Sequence, residues 1–126
     1  MTEIRLSAKC FPTEDRAIIV GALVKIFPDV TTSGEETIEG RSFSAEAFGE
    51  ILRRQRIRDA ARAVMRRGVS GNSTTFKLNK QVATVGKVSF SEENHPLGDI
   101  EVTMIDDDIS ALIDKIAPRT SREGRP

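Results

Sequence analysis

Residues 44–67 read SAEAFGEILRRQRIRDAARAVMRR. The stretch looks helical from end to end, yet its apolar phase does not hold. At about 100° per residue, Phe48, Ile51 and Leu52 centre on one direction, while Ile57, Ala60, Ala61, Val64 and Met65 centre about half a turn away. One straight helix would have to bury opposite faces at its two ends. The sequence therefore predicts two helices, with a break near Arg54-Gln55-Arg56. Ser44 is the expected N-cap of the first, with Phe43 and Phe48 spaced for a hydrophobic staple. Gly68 is the expected C-cap of the second, with Arg66 and Arg67 near the negative end of its dipole.

Upstream, residues 3–10 alternate, with Ile4, Leu6, Ala8 and Cys10 on one side and Glu3, Arg5, Ser7 and Lys9 on the other, which predicts a half-buried strand. Phe11-Pro12 ends it. Thr13 is placed to cap a helix whose stripe includes Ala17, Ile18, Val20, Gly21, Leu23, Val24 and Phe27, and Pro28 stops that helix. Residues 30–41 predict one weaker, bulged strand around Ser33-Gly34. Downstream, a Gly/Ser/Asn loop over 69–74 precedes three strands, at 75–79 (Phe76, Leu78), 82–90 and 99–105 (Ile100, Val102, Met104), with a turn over 92–98 before the last. Asp106, Asp107 and Asp108 then open a helix marked by Ile109, Leu112, Ile113 and Ile116, which Pro118 stops. The predicted order is β-α-β-α-α-β-β-β-α. That is a two-layer α+β domain over 1–118, with helices on one face of a largely antiparallel sheet and a flexible tail at 119–126.

The formal charge is zero over 126 residues, but it is not evenly spread. Residues 1–52 carry five Lys/Arg against nine Asp/Glu, residues 53–90 ten against one, and residues 91–126 four against nine. The middle segment is therefore +9, and its only acid is Asp59. Such a segment must pair with its acidic flanks or meet an anionic partner, and nucleic acid is the largest class of those. No apolar run reaches the roughly 18–20 residues of a membrane span, and Met1-Thr2-Glu3-Ile4-Arg5 does not begin like a secretory signal. A single cysteine, Cys10, rules out an internal disulfide framework and fits a cytoplasmic location.

Seven of the ten basic residues are arginines in the helical stretch: Arg53, Arg54, Arg56, Arg58, Arg62, Arg66 and Arg67. Arg58, Arg62 and Arg66 step by four and form one ridge. Arginine suits phosphate because its planar fork donates two parallel hydrogen bonds. Asn72, Ser73, Asn79, Lys80 and Lys87 follow as candidates for backbone and ribose contacts. The bland alternative is a solvated face neutralised by the acidic flanks, within one molecule or across an interface.

Other constellations yield less. Gly68 to Gly71 matches GxxG, but it joins a helix to a strand rather than two helices, and no P-loop lysine follows. Phe76 alternates with Leu78 and belongs in the core rather than under a base. Asp106 to Asp108 are explained by helix capping before metal binding. One histidine, His95, and one cysteine make no zinc site, and no nucleophile motif accompanies them. The expectation is a protein without enzymatic activity, metal or cofactor.

Several blocks resemble a known family: Leu52-Arg53-Arg54-Gln55-Arg56-Ile57, Ala61-Arg62-Ala63, Gly71-Asn72-Ser73-Thr74-Thr75-Phe76-Lys77-Leu78-Asn79-Lys80-Gln81-Val82-Ala83, Val85-Gly86-Lys87-Val88, His95-Pro96-Leu97-Gly98-Asp99-Ile100-Glu101-Val102 and Ile116-Ala117-Pro118-Arg119-Thr120. The likeness is to the archaeal Uncharacterized Protein Family 0201 and extends from the first strand to Thr120. The resemblance implies a fold similar to the ribosomal protein that carries 5S rRNA, RNA binding, and an association with the exosome. It implies no activity. The leading expectation is a non-enzymatic RNA-binding protein of the cytoplasm. The rival is a protein-interaction module, in a homodimer or an RNA-processing complex, whose basic helix pairs with acidic protein surface.

Overall fold

The alternation at the start of the chain folds as β1 (Glu3–Lys9), with Ile4, Leu6 and Ala8 buried. In the computed structural model, which describes residues 1–91 and 98–119, β1 lies between β3 (Thr37–Ser42) and β6 (Asp99–Ile105), antiparallel to both. Leu6 sits between Gly40 and Val102, and Ile4 between Ser42 and Met104, so inward side chains form rows across the sheet. With β2 (Thr31–Ser33), β4 (Val69–Ser70) and β5 (Ser73–Asn79), the six-stranded order is β2-β3-β1-β6-β5-β4. The two edge strands are three and two residues long. The helices α1 (Arg16–Ile26), α2 (Glu46–Gln55), α3 (Arg58–Arg67) and α5 (Ile109–Ile116) cover the apolar face, giving the expected two-layer α+β architecture.

The break in the long basic stretch is where the phase mismatch requires it. α2 buries Phe48, Ile51 and Leu52, and α3 buries Ala61 and Met65. Between them Arg56 adopts φ 60, the left-handed conformation, and is the one non-glycine residue with positive φ among the described residues. Its N–H still closes onto the carbonyls of Arg53 and Leu52. A row of rings then ties the layers together: Phe27 to Phe48 at 5.6 Å, Phe48 to Phe76 at 5.8 Å, and Phe76 to Phe90 at 5.6 Å between centroids. Phe76 is thus a core ring, as its alternation with Leu78 indicates.

Two stretches depart from the predicted order. Residues 30–41 form the β2–β3 hairpin rather than one bulged strand. Gly34 turns it at φ +94, where an added Cβ would lie 2.1 Å from the Thr37 carbonyl oxygen. Residues 82–90 are not a strand. The Asn79 side chain accepts a bond from the Val82 N–H at 2.9 Å and starts the short helix α4 (Lys80–Ala83). Only the end of the segment reaches the sheet, through the Leu78–Phe90 bridge and bonds from Asn79 N to Ser89 O and from Ser91 N to Lys77 O.

Two caps shift by one or two residues. Asp15, not Thr13, caps α1 through Ala17 N at 2.9 Å, because Glu14 turns back to accept from Phe11 N. Ser44 bonds Glu46 N, but Ala45 occupies the cap position of α2, and the Phe43 ring is 52% exposed, so no staple forms. Gly68 ends α3 and Asp108 caps α5. The turn around His95 (92–97) and the end of the predicted tail (120–126) lie outside the described residues.

The start of α4 draws Lys80 into the interior. Its side chain is 2% exposed, and its Nζ donates to Lys9 O at 2.8 Å and Glu14 Oε1 at 2.9 Å, 5.4 Å from the centre of the Phe11 ring. A buried ion pair is costly to break from one side, because the remaining charge loses its partner. Lys80→Met should lower stability in urea denaturation by roughly 3 kcal/mol, and adding Glu14→Leu should return most of that loss. At Arg56 the left-handed backbone costs an L-residue roughly 1–2 kcal/mol, so Arg56→Gly should raise stability in the same assay.

Candidate nucleic-acid interface

With Ala61 and Met65 buried, Arg58, Arg62 and Arg66 run along the flank of α3 beside that face, Arg58 and Arg62 partly buried and Arg66 exposed. The acidic C-terminal third covers part of this ridge. Asp114 on α5 places Oδ1 2.6 Å from Arg62 Nη1 and 3.3 Å from Arg66 Nη2. Arg62 also donates to the Ala117 carbonyl at 3.2 Å, and its side chain is 16% exposed, so it fastens α3 to the end of α5. Arg66 shares the same carboxylate from a more open position. The Arg62 hydrogen bond holds the Asp114 carboxyl below its usual range. Burial opposes this, and the charges of Arg62 and Arg66 reinforce it.

On α2, Arg53 pairs with Glu50 at 2.5 Å, and that bond lowers the Glu50 carboxyl and raises the Arg53 guanidinium. Four arginines are left. Arg54, Arg56 and Arg67 are exposed and Arg58 is half-buried, and none of their side chains makes an ion pair or hydrogen bond among the described residues. Lys87 joins them through a contact that sequence spacing does not signal. The Gln55 amide donates to Val88 O and accepts from Val88 N, both at 2.8 Å, clamping the chain next to Lys87 onto the end of α2.

The loop after α3 is a tight hairpin, β4–β5, with Gly71-Asn72 at its tip. Gly68 is required at its base, since a Cβ there would lie 2.2 Å from the Thr75 carbonyl oxygen. Thr74 Oγ1 bonds the Met65 carbonyl at 2.5 Å and closes the open end of α3. Asn72 is exposed, while Ser73 Oγ donates to Ser70 O at 3.0 Å. Two candidates sit apart from this surface. Asn79 spends its side-chain oxygen on the α4 cap, and Lys80 is interior.

The uncovered sheet face is balanced rather than basic. Glu3 pairs with both Arg5 and Arg41 at 3.1 Å, and Lys77 stands opposite Glu101 in register. Each acid of the 106–108 run also has a structural task. Asp108 caps α5, Asp106 accepts from Thr2 Oγ1 and Asp108 N, which lowers its carboxyl, and Asp107 meets the Met1 amino group. Among the described residues no group of three or more His, Cys, Asp and Glu is placed to hold a metal ion, and no helix is long and apolar enough to cross a membrane.

A family model described as RNA binding matches residues 3–106. The chain is 41% identical over 136 residues to a UPF0201 protein of Metallosphaera sedula, covering all of this chain and 94% of that one. It is 41% identical over 128 residues to a UPF0200/UPF0201 protein of Archaeoglobus fulgidus, covering 98% of this chain but spanning only 39% of that protein's length. A crystal structure of an uncharacterized UPF0201 protein superimposes with a TM-score of 0.87 at 40% identity, covering 98% of both chains.

A carboxyl held below its ordinary value of 3.8 stabilises the fold fully above that value and loses its effect as pH falls through the lowered one. Thermal melts of the protein and of Asp114→Asn should therefore differ by a constant amount above about pH 5, begin to converge near about pH 4, and meet only below the lowered value.

Proposed function

This chain belongs to the archaeal UPF0201 family, and we propose that it is a non-enzymatic RNA-binding protein of the cytoplasm. Arg54, Arg58 and Arg67 grip phosphates, and Arg53, Arg56, Arg66 and Lys87 add positive field. Asn72 and Ser73 at the hairpin contribute backbone and ribose contacts. Arg62 serves mainly to hold α5 in place. The observation that carries the reading is the set of four arginines on α2, α3 and their flanking cap residues whose side chains form no ion pair or hydrogen bond among the described residues, Arg54 acting on the Glu50 carboxyl only through its charge. A family match described as RNA binding over 3–106 supports the same partner. The Asp114–Arg66 contact is exposed and weak enough for a phosphate to displace the carboxylate.

A second reading, a protein-interaction module in a homodimer or an RNA-processing complex, is favoured by one observation. Asp114 already docks on Arg62 and Arg66, so the ridge accepts carboxylates as well as phosphates. The longer Archaeoglobus relative, in which the matching part is 39% of the protein, fits a unit that works beside another segment.

The test is RNA affinity as a function of salt. The logarithm of the binding constant should fall steeply and linearly with the logarithm of salt concentration. Arg54→Glu, Arg58→Glu and Arg67→Glu together should flatten the slope by about 0.7 for each phosphate that is no longer neutralised. Affinity that does not change with salt would sink the RNA reading. A triple variant with altered oligomer mass and unchanged RNA affinity would establish the second reading.

A further inference from the structure

Phe43 is spaced to staple α2, yet its ring stands at the surface, 52% exposed. It is fixed there by its backbone, whose N–H donates to Asp29 Oδ2 at 2.9 Å, while the other Asp29 oxygen accepts from Ser42 Oγ. An exposed aromatic ring at a held position is unusual in a chain with no Trp or Tyr and with Phe27, Phe48, Phe76 and Phe90 packed together. Beside it, between α2 and α5, lies a cleft of about 320 Å³, within the size range of small-molecule sites. Leu112, Ile116 and Pro118 give the cleft an apolar floor. Gly49 lines the cleft on the α2 side.

Two cations border the same cleft, Arg58 and Lys115, and neither side chain forms an ion pair or hydrogen bond among the described residues. Arg53 also lines it, with its charge engaged by Glu50. An aromatic rim, an apolar floor and two cations, of which Lys115 also acts through its charge on the Asp106 carboxyl, match a ligand that is flat and aromatic at one end and anionic at the other. A nucleotide has that form. Glu46 at the rim offers an acceptor to an exocyclic amino group of the base. The cleft is also continuous with the arginine surface, since Arg58 is the first residue of α3.

We propose that the α2–α5 cleft receives one unstacked nucleotide of single-stranded RNA, with the base against Phe43 and the phosphate between Arg58 and Lys115. The inference rests on the RNA-binding reading and specifies the form of RNA. A base inside a duplex is stacked on both sides and cannot enter, whereas a single strand can splay one out. Aromatic stacking of this kind carries little dependence on salt, while the two cations carry most of it.

Because the chain lacks tryptophan, Phe43→Trp creates a single emitter at the rim. Its emission should change when a single-stranded oligoribonucleotide or a 5′-mononucleotide is added, and not with duplex RNA that binds. Phe43→Ala should weaken single-stranded RNA about tenfold to a hundredfold, leave duplex affinity within a factor of two or so, and leave the salt slope as it was. Arg58→Ala with Lys115→Ala should flatten the slope. Full single-strand affinity in Phe43→Ala, or a tryptophan that does not respond to bound single-stranded RNA, overturns the cleft and leaves the arginine surface standing. RNA bound by neither the unaltered protein nor the variants overturns the surface reading and the cleft with it.

Discussion

The phase shift between the buried faces of α2 and α3, about a third of a turn at 100° per residue because Ala60 stays exposed, is the constraint on which the rest of the molecule depends. Phe48, Ile51 and Leu52 must reach the ring row, and Ala61 and Met65 must reach the core beside β5, on helices that follow each other in the chain. A continuous helix cannot do both. One residue in the left-handed conformation, Arg56, absorbs the mismatch and redirects the axis. Its consequence is electrostatic as well as mechanical. Once both apolar faces are down on the sheet, Arg54, Arg56, Arg66 and Arg67 are left at the solvent side, while Arg62 is held between α3 and α5.

That surface is not simply positive. Asp114 reaches the ridge from an element 48 residues beyond Arg66 and neutralises its middle, and Glu50 answers Arg53 within α2. What is left is two patches, one at the α2–α3 break with Lys87 and one at the end of α3 beside the β4–β5 hairpin. The opposite sheet face carries a comparable mixture of charges with the signs interleaved. Charge segregation along the chain thus survives in the fold as two local basic patches rather than as a basic face, and such patches are what a polyanion meets.

Much of this is legible in the sequence because it is local. The alternation of Ile4, Leu6 and Ala8, the helix break and the core position of Phe76 follow from periods of two and 3.6, and the Gly68 stop from the preference for glycine at helix ends. Sequence and structure part where a distant group decides the outcome. Residues 82–90 alternate as a strand should, but the Asn79 cap and the Lys80–Glu14 pair, 66 residues apart, turn the chain into α4 instead. Lys80 reads as part of the basic field for the same reason. The arginine surface is visible from composition, while its partial neutralisation by Asp114 and the Gln55 clamp on Val88 are not, since neither interaction leaves a mark in spacing. Thr13 and Ser44 show the smaller version of this problem. Several hydroxyl and carboxylate residues precede each helix, and tertiary contacts choose among them.

The brevity of the outer strands has a consequence for how this domain meets others of its kind. An open sheet ordinarily offers its rim as a template on which a further chain can crystallise backbone to backbone, the route to fibres and exchanged subunits. Here the rims are β2 and β4, three and two residues long, and the part of the β5 edge beyond β4 is already occupied by residues 89–91. A visiting strand finds too few unpaired groups to settle. Edge-to-edge growth of the sheet from one molecule to the next is thereby disfavoured.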